Sequence, residues 1–387
     1  MPPTSPAIDR EFAIRTVEQL VRTNSINPSL VHGAPGEAVI AGVTEHILEQ
    51  LDLEVKHHEP EPGRISVVGR LPGSGSGRSL MLNAHYDTVG IDGMEDPFSA
   101  EIRGTRLYGR GAYDMKGALA ACITAVKALR DARTPLRGDV LIAAVADEEH
   151  ASLGTQDLLH RYHVDGAIVT EPTSLRLCVA HKGFLWTEVT VRGRAAHGSR
   201  PDLGIDANLR MGHVLQRLEK LVHTLREGRR HRLLGTGSLH AAVLHGGTGL
   251  STYAAECRLG IERRTIPGET EAQVLSEIDA VLDGLRAEDP SLQVERRHLL
   301  TREPFEARPD SAVVGAVEHA TSLVLGAPPE RVGETPWMDA ALLSAVGVDT
   351  VVIGPHGGGA HAAVEWVDLE SVWKLADILA RAATAYC

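Results

Sequence analysis

Apolar residues recur at helical spacing soon after the start of the chain, where Phe12, Ala13, Val17, Leu20 and Val21 follow Asp9, a residue suited to capping a helix. The pattern predicts an amphipathic helix that ends at Asn24-Ser25-Ile26-Asn27-Pro28, since the residue before a proline resists helical geometry. A second helix is expected after Pro35-Gly36-Glu37, with Val39, Ile40, Val43, Ile47, Leu48 and Leu51 facing inward. Short strands follow, from Leu53 to His57, Ile65 to Gly69 and Ser79 to Asn83. The glycine run Leu71-Pro72-Gly73-Ser74-Gly75-Ser76-Gly77 lacks the GxxxxGK[ST] spacing of a phosphate loop and leads into no helix, so it is a turn between strands. A helix near Lys116 buries Leu119, Ile123, Val126 and Leu129. The apolar runs Val140 to Val145 and Gly166 to Val169 have the character of buried parallel strands.

The style changes at Gly183. Alternation through Leu185, Trp186, Thr187, Glu188, Val189, Thr190 and Val191 predicts a half-buried strand, and a helix from about Asp206 to Leu225 comes next. Strands near Leu239 to Leu244 and Cys257 to Arg263, a helix after Pro267-Gly268-Glu269 and a strand near Leu292 to Arg297 complete a β-α-β-β-α-β order. Helix and strand patterns of the first kind return from about Glu303: helices around Ser311 to Val324 and Met338 to Ala345, a strand from Thr350 to Ile353, and a closing helix from Leu369. The expected organisation is an α/β mixed-sheet catalytic domain in two parts, residues 1–182 and 299–387, with an inserted α+β, ferredoxin-like module over residues 183–298.

Composition narrows the function classes. At 387 residues with 43% hydrophobic and 23% charged residues the chain can bury more than one core, and no apolar run reaches membrane-helix length, which predicts a soluble protein without a membrane partner. A net charge of −12 disfavours nucleic acid. The start, Met1-Pro2-Pro3-Thr4-Ser5-Pro6, lacks a basic region followed by an apolar one, so no signal peptide is expected. Cys122, Cys178, Cys257 and Cys387 have no CxxC spacing, which suits a reducing, cytoplasmic setting and argues against a thiolate zinc site.

Candidate chemistry gathers at strand ends. Asp147, Glu148 and Glu149 follow directly on the Val140 to Val145 run, and three carboxylates leaving a core together repel one another unless a cation neutralises them; a solvated loop feeding a helix is the alternative. Ala84-His85-Tyr86-Asp87 ends an earlier strand, with the Asp87 carboxylate placed to bond the second nitrogen of His85. Asp114 lies in the glycine-flanked stretch Gly109-Arg110-Gly111-Ala112-Tyr113-Asp114-Met115-Lys116-Gly117, where it is either a helix cap or a ligand held by a tightly packed backbone. Glu171 ends another strand before Pro172, and the loop Gly354-Pro355-His356-Gly357-Gly358-Gly359-Ala360-His361 adds two histidines. His150, His181 and the basic run Arg226 to Arg232 are expected on the surface.

In this order the motifs AHYDTV, GRGAYDMKG, ADEEHASLGT, TEPT, GRAAHGSRP, ERRTIPGET and GPHGGGAHAAVEWV resemble the co-catalytic zinc peptidase and amidohydrolase family of acetylornithine deacetylase, succinyl-diaminopimelate desuccinylase, aminoacylase and the glutamate-releasing carboxypeptidases. The resemblance spans essentially the whole chain. It implies two divalent metal ions, zinc first with cobalt or manganese as alternatives, held by His85 and Glu171 on one side and Glu149 and His361 on the other, with Asp114 bridging. His361 is preferred to His356 because Glu365 follows it in the family's HxxxE pattern, which leaves His356 near the substrate. Asp87 would orient His85. Glu148 would be the general base that takes a proton from the attacking water and passes it to the departing amine, and His197 would help polarise the carbonyl, often across a dimer interface.

Arg264, two residues after Glu262 where the family has an aspartate, is a candidate for binding a substrate carboxylate, against the alternative of a solvated strand arginine. The segment Gly246 to Tyr253 lacks the asparagine found there in many members. The implied activity is hydrolysis of the amide bond of an N-acyl amino acid or short peptide, with a dipeptidase or carboxypeptidase as the neighbouring alternative and a catalytically silent metal-binding paralogue as the alternative of another class. N-carbamoyl chemistry is disfavoured because Asp114-Met115-Lys116-Gly117 replaces the usual Asp-Gly pair. The inserted module is expected to act as lid and homodimer contact, hinged near Lys182 to Gly183 and Thr301 to Pro304.

Overall fold

Three apolar runs with no polar alternation fix the centre of the main sheet, because only a strand covered on both faces can bury every side chain. The computed structural model describes residues 6–387, so the first five residues, on which the expectation about a signal peptide rests, lie outside it. Asp9 caps α1 (Arg10–Arg22), accepting from the Phe12 amide at 2.9 Å. After α2 (Ala38–Gln50) come β1 (Glu54–Glu61), β2 (Arg64–Leu71) and β3 (Leu80–His85), then the short strands β4 (Glu101–Arg103) and β5 (Arg106–Tyr108). α3 (Gly117–Asp131), β6 (Val140–Val145), α4 (Leu153–Leu159), β7 (Gly166–Val169) and β8 (Leu177–His181) follow.

The next segment holds β9 (Gly183–Arg192), α5 (Ala207–Glu227), the ribbon of β10 (Arg230–His231) and β11 (Gly235–Thr236), β12 (Ser238–Gly246), β13 (Glu256–Thr265), α6 (Glu271–Glu288), β14 (Gln293–Arg302) and β15 (Phe305–Glu306). The chain closes with α7 (Ala312–Leu325), β16 (Arg331–Glu334), α8 (Ala340–Ala345), β17 (Asp349–Val352), β18 (Gly357–Gly358), β19 (Trp366–Asp368) and α9 (Leu369–Tyr386).

Two compact units emerge. One comprises the residues up to Val179 with Ala307–Val332 and Met338–Cys387; the other comprises Ala180–Glu306 with Gly333–Trp337. In the first unit the sheet order is β1-β2-β6-β3-β7-β17-β8. β6, β3, β7 and β17 run parallel, while β1, β2 and β8 pair antiparallel, which makes the sheet mixed. Every residue of β3, β6 and β7 is buried. α3 is buried on almost every side and packs on α9, which also packs on α7. β18, β19, β5 and β4 form a small separate sheet that the sequence pattern did not predict, its strands being only two or three residues long.

The second unit has the strand order β12-β13-β9-β14, all antiparallel, the arrangement of a ferredoxin-like βαββαβ module. Alternate residues Val189 and Val191 of β9 and Leu259 and Ile261 of β13 share a core with Met211, Val214 and Leu218 of α5 and Ile278 and Leu282 of α6. Thr270 and Gln273 close the N-terminus of α6 as a reciprocal capping box.

Two local expectations differ from the structure. Val39 is 61% exposed, because the inward stripe of α2 runs through Ile40, Thr44, Ile47 and Leu48 and leaves Val39 about a quarter-turn off it. His181, expected on the surface, is fully buried at the end of β8, a strand not recognised in the sequence, where its ring packs beside Phe305 and Trp337. His150 and most of the Arg226 to Arg232 run are exposed as expected.

Beneath the carboxyl ends of the first unit's strands lies a buried ion cluster. The Arg64 guanidinium grips Glu37 through two hydrogen bonds of 2.8 Å each and also donates to Asp147. Burial pushes the Glu37 carboxyl up to about 7 against the pull of Arg64. Arg64→Met strands two buried carboxylates, so it should lower the stability of this unit by about 3–5 kcal/mol, seen as a fall in its denaturant midpoint. A Glu37→Gln, Arg64→Met double variant should recover part of that loss. An unchanged midpoint in Arg64→Met would contradict this role.

Candidate metal centre

The site is assembled from strand ends and two loops of the first unit. His85 is the last residue of β3, the acid triplet follows β6, Glu171 lies just beyond β7, and His361 sits in the loop between β18 and β19. Asp114 lies in an irregular turn, Ala112–Lys116, in front of α3. It is not the cap of that helix: Lys116 occupies the cap position, and the Asp114 carboxylate points at two histidines. The close packing inferred from the flanking glycines is present at Gly111, where φ is +78° and a Cβ would come within 2.7 Å of the Thr88 methyl.

Asp114 is the centre of the cluster. One oxygen lies 3.0 Å from His85 Nε2 and the other 3.4 Å from His361 Nε2. His361 Nε2 also lies 3.1 and 3.0 Å from the two Glu149 oxygens, and His85 Nε2 lies 3.6 Å from Glu171. Ligand-type atoms of His85, Asp114 and Glu149 fall within 4.8 Å of one another, as do those of His85, Glu148 and Glu171. Thus His85, Asp114, Glu148, Glu149, Glu171 and His361 converge, drawn from positions as far apart as 85 and 361. The donor set is imidazole nitrogen and carboxylate oxygen, which fits zinc and similar divalent ions.

The charges are mutually unfavourable without a cation. Burial, and then the neighbouring Glu171, hold the Glu148 carboxyl well above its usual range; burial, and then Asp114, raise that of Glu149. Burial pushes Glu171 up to about 8. Burial opposes the charged form of His85, but Glu171 and Asp114 overcome it and hold the imidazole well above its ordinary value. Hydrogen bonds to Asp114 and Glu149 raise His361 to about 10. Asp114 is depressed: burial raises it, but the bonds to His361 and His85 win. A divalent ion at this locus would supply the positive charge that these carboxylates favour, and its binding would compete with protons for the histidine nitrogens.

Supporting contacts refine the expected roles. The close partner of His85 Nδ1 is the Asp87 carbonyl, which accepts from it at 3.0 Å, while the Asp87 carboxylate stands 3.6 Å away. That bond places the hydrogen on Nδ1 and turns the Nε2 lone pair towards the cluster. The carboxylate instead accepts from the amides of Glu148 at 3.1 Å and Glu149 at 3.2 Å. Sequence reasoning noticed Glu365 only as part of a spacing pattern. Its buried carboxylate accepts from the amides of Gly111, Tyr113 and Asp114 at 3.0–3.1 Å and from Arg110 at 2.6 Å, so it shapes the turn that carries Asp114. Asp339 and Thr155 also went unnoticed: the Thr155 hydroxyl donates to the buried Asp339 carboxylate at 2.5 Å, and burial pushes that carboxyl up to about 6.

Three predicted residues stand outside the cluster. His356 is exposed, its Nδ1 at 3.1 Å from the Ser174 hydroxyl and its ring edge-on to Trp366. His197, in the second unit, is exposed in a loop bridged to Thr252; its Nδ1 accepts from the Ser199 amide at 3.2 Å, which leaves the hydrogen on Nε2. Arg264 donates to Glu262 at 2.7 Å and lies over the Phe184 ring, so its strand position is partnered rather than merely solvated.

The model of the peptidase family M20/M25/M40 matches residues 81–385. An acetylornithine deacetylase from Myxococcus xanthus is 32% identical over 336 residues, covering 84% of each chain. Among solved structures, a tripeptidase from Staphylococcus aureus superposes with a TM-score of 0.79 at 18% identity, covering 98% of this chain and 99% of the other. A dinuclear metal-binding peptidase of the M20 family from Bacillus subtilis superposes with a TM-score of 0.75 at 16% identity, covering 97% of this chain and 98% of the other. Among the described residues no helix is long and apolar enough to cross a membrane.

Glu365→Gln keeps the shape of the side chain but replaces a four-bond acceptor with a group that must turn an NH2 towards backbone amides. Metal affinity should fall by ~10–100-fold, measured as zinc retained after dialysis against graded chelator. Wild-type retention would show that Glu365 does not shape the centre.

Proposed function

The chain belongs to peptidase family M20/M25/M40 and is therefore a hydrolase of amide bonds, and from that premise we propose that it removes the acyl group from an N-acyl amino acid. The observation that carries the proposal is the convergence of His85, Asp114, Glu149, Glu171 and His361 around a single locus with Glu148 beside them. The similarity to a deacetylase at 32% identity favours the deacylase over the peptidase reading; the peptidases with similar folds are under 20% identical and speak to the fold alone.

Two divalent ions, zinc first, would be held by His85 with Glu171 and by Glu149 with His361, with Asp114 between them. When bound, they supply Lewis acidity that makes a water nucleophilic near neutral pH and polarises the scissile carbonyl. The remaining steps fall to the chain. Glu148 accepts the proton of the attacking water on its carboxylate and returns it to the departing nitrogen. Asp87 holds the amides of Glu148 and Glu149, so base and ligand keep separate positions although adjacent in sequence. His197, with its Nε2 hydrogen free to donate, stabilises the developing oxyanion. Arg264 receives the substrate carboxylate in exchange for its contact with Glu262, and His356 borders the substrate.

The second unit is proposed to pair with that of another copy in a homodimer. Its edge strand β12 is exposed along almost its whole length and presents Val243 and Leu244, each at least half exposed, which supports an edge-to-edge contact of identical strands. A cytoplasmic location fits four buried cysteines, none of them in a disulfide.

A panel of N-acyl amino acids and dipeptides should be offered to chelator-stripped protein with and without added zinc. Turnover of the N-acyl amino acids should appear only with metal, and Glu148→Gln should lower kcat by ~10²–10⁴-fold with both ions retained. Turnover without metal, or full activity in Glu148→Gln, would overturn the assignment; turnover of dipeptides alone would shift it to a peptidase. Mixing His197→Ala with Glu148→Gln protein should restore activity if His197 serves its partner's site, and the absence of recovery after subunit exchange would exclude that role.

A further inference from the structure

Directly behind the acid triplet a single carboxamide joins two buried carboxylates. Asn27 Nδ2 donates to Asp87 Oδ2 at 2.8 Å and to Asp147 Oδ1 at 3.0 Å, spending both of its hydrogens on groups separated from it by 60 and 120 residues. Its own oxygen is occupied by the Ser29 amide at 2.9 Å, so the orientation of the amide is fixed. The backbone is pinned as well. The Asn27 amide donates to the Thr88 carbonyl at 2.9 Å, Ile26 bridges to Thr88, and the Ser25 hydroxyl donates to the Tyr86 carbonyl at 2.6 Å. The segment Ser25 to Asn27 is thus sewn onto the continuation of β3, and Ser25, Asn27, Asp87 and Asp147 are all buried.

Each carboxylate that Asn27 holds controls part of the triplet. Asp87 accepts from the amides of Glu148 and Glu149. Asp147 adopts φ +67°, a left-handed conformation that costs an ordinary residue free energy and must be held by its surroundings. What holds it is visible: its carboxylate takes hydrogen bonds from Asn27 and Arg64, and its carbonyl accepts the amides of Ala151 and Ser152. The left-handed turn at Asp147 is what redirects the chain after β6 so that Glu148 and Glu149 face His85 and His361. Glutamine would be a carbon too long for this bridge, and aspartate would put a third carboxylate against two others.

We propose that Asn27 is a positioning residue for the general base and its neighbouring ligand, acting by tying Asp87 to Asp147. This rests on the roles given above to Glu148 and Glu149. Asn27 does not touch the reacting atoms; its influence passes through the backbone of the turn. Removing it should therefore disturb catalysis and ligand geometry together, while substrate binding, which other residues provide, changes little.

The test compares Asn27→Ala, Asn27→Ser and Asn27→Asp with the wild type, each loaded with two equivalents of cobalt(II), and includes Val17→Ala of α1 as a control for the loss of buried volume alone. The Asn27 variants should lose ~10–100-fold in kcat, with KM on the best substrate of the panel within about threefold, and should show shifted cobalt d–d absorption. Asn27→Asp should suffer most, and Asn27→Ser, with one hydroxyl donor, should lie between wild type and Asn27→Ala. Val17→Ala should keep kcat and spectrum at the wild-type level. If Asn27→Ala does not fold, Asn27→Ser carries the comparison alone. Wild-type kcat and spectrum in the folded Asn27 variants would overturn the proposal, as would an equal change in Val17→Ala. Should Glu148→Gln be inactive while the Asn27 variants are normal, only the positioning role fails; should Glu148→Gln be active, the reading on which it rests fails first.

Discussion

The constraint on which the structure turns is the burial of like charge. Four carboxylates, Asp114, Glu148, Glu149 and Glu171, and two imidazoles meet where the parallel strands of the main sheet end, and burial, reinforced by the neighbouring carboxylates, drives three of those acids towards their neutral forms. A protein gains nothing in stability from such a cluster, since isolated buried carboxylates carry several kcal/mol of desolvation cost each. Its retention makes sense when a cation completes it. The histidines show the same effect in miniature: the acids around them push both imidazoles above their ordinary value.

The surroundings use a common device. Where a backbone must take an improbable path, a buried carboxylate gathers its amides: Glu365 does so for the turn of Asp114, and Asp87 for the turn of Glu148 and Glu149. Those carboxylates are in turn held by buried donors, Arg110 for Glu365 and Asn27 for Asp87. The Arg64 cluster with Glu37 and Asp147 adds a further layer, so the electrostatics of the centre extend into the fold itself.

Much of this was legible in the sequence, for identifiable reasons. β6 and β7 were found to the residue because a fully buried strand has no polar alternation to blur its ends, and the βαββαβ order of the second unit followed from clear changes of period. His85, Glu148, Glu149 and Glu171 stood out as candidates because acids and histidines directly after apolar strands are chemically odd, whereas their grouping with Asp114 and His361 was implied by the family resemblance. What escaped notice depends on long-range partners. Glu365 meets Asp114 across 251 residues and Asn27 meets Asp147 across 120, and neither pairing leaves a local trace. Asn27 looked like a helix terminator before Pro28, which describes its backbone and misses its side chain. The Asp87 carboxylate was assigned to His85 on proximity in sequence, whereas its own carbonyl makes that bond and frees the carboxylate for the turn. His181 was misplaced because a five-residue strand with one polar end resembles a loop.

The central claim is that this acid-rich cluster is a two-ion site whose local order depends on its ions, and metal-linked stability tests it most directly. Chelated protein should be titrated with zinc while its thermal unfolding and bound metal are followed together. The account predicts saturation at two ions per chain and a rising unfolding temperature, with a gain of about 4 kcal/mol when free zinc exceeds the dissociation constant a thousandfold. Substitution of Asp114 by alanine should abolish that gain. Saturation without stabilisation, or the same stabilisation in Asp114→Ala, would contradict it.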